Sequence, residues 1–347
     1  MSNSTSRRVT LAQVAERAGV STMTASYTYS RPERVSAASR EKVLAAAKAL
    51  GYAGPDPSAR SLRRGQAGAL GVVLGEHLTY AFDDPQATAF LAGVAEVCAE
   101  QGQAMSILPV VDATADVARI SAAAVDGYVV WTTEDGAPVL QAAITTGRPV
   151  VVHGGPAAEG ARVVGIDNRA AARAIGRVVF ADARVPAVLS FPLTGAREAA
   201  VVAGPEPHDV TFPVTRERLL GFGDAARDLG VDWADVLVGA CSTNDAREAQ
   251  TMAEELVARA RRVDALATMS DELASGALRA LGAAGLQAPS QVAVTGWDDA
   301  EVSRALGITT VAQSMREQGA ACAHQVLSGT TVDFSDQWQI IERASTH

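Results

Sequence analysis

Val9-Thr-Leu-Ala-Gln-Val-Ala-Glu-Arg-Ala-Gly-Val-Ser21-Thr-Met-Thr-Ala-Ser26-Tyr27 decides how the chain begins. Thr10 is an N-cap residue, and Gln13 three residues later completes a capping-box pattern. Leu11, Val14, Ala15 and Ala18 fall at i, i+3, i+4 and i+7 and make one apolar stripe. Gly19 supplies a left-handed cap that ends this helix and lets the chain turn. Ser21 caps a second helix, whose early turns carry Thr22, Met23, Thr24, Ser26 and Tyr27. A third helix is predicted from the Ser36 cap to Leu50, ending at Gly51, with Val43, Leu44, Ala47 and Leu50 facing inward. Helix, tight turn and helix, with short polar side chains opening the second, suits a helix laid in the major groove of DNA.

About thirty residues downstream, Asp56-Pro-Ser-Ala-Arg-Ser-Leu62-Arg-Arg64 reads as a short basic helix, with Pro57 at its first position. Ala59, Leu62 and Arg63 share one side of it. Two turns are too short to be stable alone, so this helix is expected to form only with DNA and a second subunit. Leu62 would then wedge into a base step of the minor groove, at a cost of about a few kcal/mol recovered by added contacts.

Charge is segregated in the same sense. Residues 1–66 carry eleven Arg/Lys and four Asp/Glu, a balance of +7, which leaves −16 on the rest of a chain whose net charge is −9. A basic head on an acidic body directs phosphate binding to the head. At 347 residues, 48% of them hydrophobic, two or three domains with sizeable cores are expected. No apolar run approaches a membrane span, no signal peptide is evident, and three scattered cysteines fit reduced thiols in a cytoplasmic protein. The five histidines and three cysteines show no ligand spacing, so neither a metal nor a cofactor is expected.

From Ala69 onward, apolar runs at Leu70–Leu74, Met105–Leu108, Tyr128–Trp131 and Val150–Val152 alternate with helical patterns. A second series follows at Ala187–Phe191, Val236–Val238, Ala265–Met269 and Val292–Thr295. Runs of this kind mark parallel sheets with crossover helices. Two series imply two doubly wound lobes, with ligands bound beyond the carboxyl ends of the strands, in a cleft between the lobes. Polar candidates at strand ends are Asp83, Asp84, Asp167, Arg216, Ser270, Asp271, Asp298 and Asp299; Asp271 and Asp299 also begin helices, where a carboxylate is favoured by the dipole. Phe82, Trp131, Trp297 and Phe222 are the aromatic candidates, Phe222 being the one most suited to the core. No phosphate loop, dinucleotide fingerprint or nucleophile elbow is present, which points to binding rather than catalysis. A solute-binding protein of a transporter would need a signal peptide or lipid anchor and no basic head.

Several stretches carry a resemblance. They include Val-Thr-Leu-Ala-Gln-Val-Ala (9–15), Ala-Gly-Val-Ser (18–21), Val-Ser-Ala-Ala-Ser-Arg-Glu-Lys-Val (35–43), Ala-Arg-Ser-Leu-Arg (59–63), Arg-Glu-Arg-Leu-Leu-Gly-Phe (216–222) and Gly-Trp-Asp-Asp (296–299). In these the chain resembles the LacI family of transcriptional regulators over essentially its full length. The resemblance implies an N-terminal all-α helix-turn-helix domain and an α/β periplasmic-binding-protein-like core of two doubly wound parallel-sheet lobes. It implies a homodimer on a pseudo-palindromic operator of double-stranded DNA, acting as a repressor. A small effector in the cleft, a sugar or derivative, would rearrange the lobes and thereby the hinge helices. The expected domains are 1–54, a hinge at 55–68, and a core at 69–347. Within the core, one lobe takes 69–166 plus 302–328 and the other 167–301 plus 329–347.

By position, Thr22, Met23, Ser26 and Tyr27 match base-reading residues and Leu62 the intercalating leucine. Thr10, Ser21, Thr24, Ser30, Arg34, Ser36, Ala59 and Arg60 complete the expected DNA contacts. Arg216 and Asp298 match the two most recurrent effector contacts, while Asp167, Ser270 and Gln313 match cleft positions, with Phe82 and Trp297 as stacking partners. Tyr27 stands where the family usually has Arg; a phenol cannot read guanine bidentately, so a different operator base is expected. Ala53-Gly54-Pro55-Asp56-Pro57 replaces the usual Pro-Asn with one extra residue. The chain stops just after Ala-Ser-Thr (344–346) without a heptad tail, so a tetramer built by a C-terminal coiled coil is not expected.

Overall fold

The computed structural model describes residues 9–54, 66–75, 80–111, 113–259 and 263–346. The expected hinge helix, with Ala59, Arg60 and Leu62, lies outside the described residues. The chain divides into two units, Met1–Ala67 and Gly68–His347. No helix of the described residues is long and apolar enough to cross a membrane.

The first unit holds α1 (Leu11–Ala18), α2 (Thr22–Ser30) and α3 (Ala37–Leu50). Thr10 forms the reciprocal capping box with Gln13, and Gly19 ends α1 in the left-handed region at φ 65°. Ser21 and Ser36 cap the next two helices through the amides of Thr24 and Ser39. Val14, Ala15, Ala25, Val43, Ala46 and Ala47 form the small core, with Leu11, Ala18 and Leu50 packed against it. Leu44 departs from expectation: it is 43% exposed and Ala46 is buried in its stead. The inward stripe of α3 is Val43, Ala46, Ala47 and Leu50, again i, i+3, i+4 and i+7, and Leu44 lies one step past its edge.

The second unit begins with a five-stranded sheet. Its strands are β1 (Ala69–Leu74), β2 (Ala104–Pro109), β3 (Gly127–Trp131), β4 (Val150–His153) and β5 (Arg162–Val164), in the order β2-β1-β3-β4-β5 and all parallel. Between them run α4 (Tyr80–Asp83), α5 (Pro85–Glu100), α6 (Ala113–Ala122) and α7 (Pro138–Thr145). The inner strands β1, β3 and β4 are buried and almost wholly apolar because both faces are covered, while the edge strands β2 and β5 carry Ser106 and the exposed Arg162. Leu70, Val72, Leu74 and Val129 meet Phe90 and Val94 of α5 on one face. Val73, Val130 and Val152 meet Ile120 and Leu140 on the other.

The chain then enters a seven-stranded sheet through α8 (Asn168–Val179), β6 (Pro186–Ser190), β7 (Ala200–Ala203), α9 (Pro213–Asp228) and β8 (Leu237–Ala240). It continues through α10 (Ala246–Arg259), β9 (Ala265–Thr268), α11 (Asp271–Ala283), β10 (Ala293–Asp298), α12 (Glu301–Leu306) and β11 (Thr309–Ala312), then α13 (Met315–Ser328) and β12 (Gln339–Ile341). The order is β12-β11-β10-β9-β6-β8-β7, parallel except for the two edge strands.

The expected placing of 302–328 in the first lobe needs correction. β11 pairs in parallel with β10 and so belongs to the second sheet, reached by the short crossover α12. Only α13 returns to the first lobe, where Cys322 and Val326 join its core. Two glycines make that return close: a Cβ at Gly93 would lie 1.9 Å from the Arg316 carbonyl oxygen, and one at Gly319 would lie 2.2 Å from that of Phe90. α5 and α13 therefore pack backbone against backbone. The chain crosses between lobes three times, and the Asp167 amide donates to the Ser335 carbonyl (3.0 Å) to tie two of the crossings together.

Candidate functional site

In the first unit the first turn of α2 stands clear of the core. Ser21, Thr22 and Met23 are exposed, Met23 by 63%, while Thr24, Ser26 and Tyr27 are half-buried and Ala25 and Thr28 point inward. The Thr24 hydroxyl lies 2.9 Å from that of Ser21, and the Ser21 oxygen accepts from the Thr24 amide at 3.0 Å. Ser30 is exposed and donates to the Ser26 carbonyl at 3.0 Å; Arg34 and Ser36 are also exposed. Thr10, Ser21 and Ser36 each sit at a helix N-terminus, where free amides and the dipole favour an anion.

In the second unit a cleft opens between the carboxyl ends of the two sheets, with about 980 Å³ of empty space including its mouth. The first lobe contributes Trp131 at the end of β3, Thr132 and Thr133 after it, His153 at the end of β4, and Gln318 from α13. The second contributes Phe191, Asn168, Arg218, Asn244, Phe212 and Asp298. Gln313 comes from the crossing between β11 and α13. Aromatic walls with a few convergent polar groups are the usual make-up of a small-molecule site.

At its floor lies Arg218, 3% exposed, with its guanidinium 3.8 Å from the ring centroid of Trp297. Arg218 donates to the Asn168 side-chain oxygen at 2.9 Å and to the Met269 carbonyl at 2.6 Å. Burial lowers its pKa to about 10, against which the nearby Asp298 pulls upward. Arg218 therefore stays charged at neutral pH. Asp298 ends β10 at φ 102° and Asp299 follows at φ 51°, a left-handed pair that turns the carboxylate into the cleft. Burial raises Asp298 to about 7, opposed by the Arg218 charge and reinforced by Asp271. Its Oδ1 accepts from Gln313 at 2.7 Å, the Gln313 oxygen accepts from Gln318 at 3.1 Å, and Gln318 Oε1 lies 2.9 Å from His153 Nε2. Burial pushes His153 down to about 4, so it is neutral. A polar chain thus runs from the second lobe to the first across the back of the cleft.

Asp84 supplies a second crossing. Its Oδ1 caps α5 by accepting from the amides of Gln86 and Ala87 (both 2.8 Å), and its Oδ2 accepts from Asn244 at 2.7 Å. Ser270 stands behind it, donating to Asn244 Oδ1 at 2.5 Å and capping α11. Asp271 is deeper, bound by Thr310 and the Ala300 amide, and burial raises it to about 6.

Of the expected effector contacts, Asp298 and Gln313 line the cleft, and Trp297 lies beneath it as the platform for Arg218. Four do not line it. Arg216 points out of the other side of α9, bonded to Asp135 and to the Val210 carbonyl. Asp167 is exposed and caps α8 through the Ala170 amide. Ser270 acts through Asn244, and Phe82 is 63% exposed on α4. Among the other candidates Asp84 and Trp131 reach the cleft, Asp299 is paired with Arg304 and Arg343, and Phe222 is fully buried core. Arg218, His153, Asn168, Asn244 and Gln318 were not anticipated. For Arg218 the signal was present: Thr215, Arg218, Leu219, Phe222 and Ala226 form the buried stripe of α9, and Arg216 is two residues, or about 200°, from Arg218.

Comparison with known proteins follows the same division. Residues 10–54 match the family of bacterial regulatory proteins called lacI, and residues 193–346 match the periplasmic binding protein-like domain. An HTH-type transcriptional regulator of Mycobacterium tuberculosis is 40% identical over 324 residues, covering 92% of this chain and 90% of that protein. A solved LacI-family regulator from Corynebacterium glutamicum is 28% identical with a TM-score of 0.72, covering 97% of this chain and 98% of that one. The regulator CelR in complex with cellobiose is 26% identical with a TM-score of 0.66, covering 97% and 100%.

Proposed function

This chain belongs to the LacI family of bacterial transcriptional regulators, and we propose that it is a dimeric repressor released or tightened by a sugar-like effector in the interlobe cleft. The observation that carries this reading is the cleft: a buried guanidinium on an indole, a carboxylate at the same floor, amide side chains between, and aromatic walls. Arg218, Asn168, Asn244 and the two glutamines supply directional donors for ring hydroxyls, and Asp298 an acceptor. Trp131, Phe191 and Phe212 supply faces for the apolar side of a sugar ring. A structural relative holds cellobiose, which fits a polyhydroxylated class of ligand.

On the DNA side, Thr22, Met23, Ser26 and Tyr27 read base edges, while Thr10, Ser21, Thr24, Ser30, Arg34 and Ser36 meet phosphates or orient the helix. Each protomer would address one half-site. Ala59, Arg60 and Leu62 would form the hinge contact in the minor groove. The effector can act only through its differential affinity for two lobe arrangements, each favouring a different state of the hinge.

Footprinting on DNA flanking its own gene, with and without candidate sugars, tests the whole reading. Protected palindromes that a sugar releases or tightens are the expected result. No protection at any salt or ligand condition would overturn it.

A further inference from the structure

After β6 the chain does not pass directly into α9. Residues 191–212 make an excursion: a turn at Thr194–Arg197, the edge strand β7 against β8, and a return through Thr211 to Phe212. The excursion belongs to the second lobe by strand pairing, yet Phe191, Pro192, Arg197 and Phe212 line the cleft. Arg197 is held at φ 52°, a costly conformation for a non-glycine residue, with its guanidinium 5.2 Å from the Phe212 ring centroid. The cleft wall here is thus a strained, paired unit.

Within its own lobe it is held by the β7–β8 pairing and by the Arg197 guanidinium, which donates to the Ser242 carbonyl at 3.4 Å; a further anchor lies on the other lobe. Glu134 follows β3, and its Oε2 accepts from both limbs of the excursion, the Gly195 amide at 3.0 Å and the Thr211 hydroxyl at 2.8 Å. The next amide, of Asp135, donates to the Thr211 carbonyl at 2.9 Å, and the Thr211 amide closes the base onto Leu193 at 2.8 Å. The approach is close at Gly195, where a Cβ would sit 2.5 Å from Glu134 Oε1 and the carboxylate would have to shift.

We propose that Glu134 is a positioning residue of the effector cleft: its carboxylate pins residues 191–212 to the first lobe and so sets the Arg197–Phe212 wall that the effector meets. The proposal rests on the reading of the cleft as the effector site, but its test needs neither DNA nor effector. Hydrogen–deuterium exchange is measured on the full-length protein for Glu134→Ala, Glu134→Gln and Thr211→Val. Removing the shared acceptor should speed exchange in peptides from 192–212 at least about tenfold, leaving β6 and α8 as in the unaltered protein. Both bonds go to one oxygen, which an amide carbonyl can replace, so Glu134→Gln should stay within about threefold of the unaltered protein. Thr211→Val, which loses one bond, should fall between, and it carries the test if Glu134→Ala does not fold. Exchange in 192–212 that Glu134→Ala and Thr211→Val leave unchanged would overturn the proposal. So would equal acceleration by Glu134→Ala and Glu134→Gln, because charge and not position would then be at work. Either result would leave an operator footprint standing, and a missing footprint would leave this anchor standing.

Discussion

The helix-turn-helix head and the interlobe cleft are held together over different distances. In the head, Thr10 bonds Gln13, Ser21 bonds Thr24 and Ser36 bonds Ser39, each three residues apart. In the cleft, His153 meets Gln318 across 165 residues and Asp84 meets Asn244 across 160. The head can therefore be read, and broken, one turn at a time. The cleft is a property of two lobes at once, so a change on one wall is felt on the other.

The largest expected effect sets neighbours on α9 against each other. Arg218→Ala removes a buried guanidinium, leaves the Asn168 and Met269 oxygens without their donor, and strips the counter-charge from Asp298. Urea unfolding of the core should show a loss of about 3 kcal/mol. Arg216→Ala breaks a partly exposed ion pair with Asp135 and a bond to the Val210 carbonyl, and should cost about 1 kcal/mol. Equal losses would mean that the two faces of α9 are not distinguished by burial.

The next effect divides the cleft by pH. Asp298 is raised from 3.8 to about 7, so between those values the folded chain keeps a proton that the unfolded chain has released. Its contribution to stability therefore falls as pH rises through that window and is constant above it. His153 is lowered from 6.5 to about 4, so the unfolded chain takes up a proton that the folded one refuses, and stability falls as pH drops through that range. Asp298→Asn should gain on the unaltered protein between pH 4 and 7, and His153→Gln should gain on it between pH 6.5 and 4. Parallel stability curves for all three proteins would show that neither group is held in the unfavoured ionisation state.

How far the sequence could be read follows the same contrast. The caps of α1, α2 and α3 and the stripe of α1 were legible because each depends on residues within one or two turns. Strands β1 to β4, β6 and β8 to β10 were legible as apolar runs, since both faces of each sheet are covered. The edge strands β7 and β12 were not: β12 has only Ile340 and Ile341 after a glutamine, and β7 (Ala-Val-Val-Ala), though apolar, is four residues long, small and exposed at both ends. In the cleft, Asp298 was recognised by its motif, but Gln318 and His153 become neighbours only when α13 returns to the first lobe. Arg216 was preferred to Arg218 by motif position, where helical phase decides the matter.

Within the head, Val43 and Leu44 repeat that lesson on a smaller scale. Val43 is fully buried and Leu44 is 43% exposed. Val43→Ala should cost about 2 kcal/mol, read as faster amide exchange in α1 and α3 of the full-length protein. Leu44→Ala should stay within about 0.5 kcal/mol. A larger cost at Leu44 would mean that something outside this unit covers it.

The smallest expected effect is at Ser21, where the helix cap and the proposed DNA contact would share one hydroxyl. As a cap it accepts from the Thr24 amide, and Ser21→Ala should weaken the head by about 1 kcal/mol in the same exchange measurement. Ser21→Asp separates the two roles, because a carboxylate caps as well as a hydroxyl and is favoured by the helix dipole, yet repels a phosphate. The Asp variant should keep head protection at the level of the unaltered protein while losing affinity for operator DNA, with the loss greatest at low salt. An Asp variant that binds as well as the unaltered protein would assign Ser21 to the cap alone, and phosphate contact at the start of α2 would pass to its backbone amides.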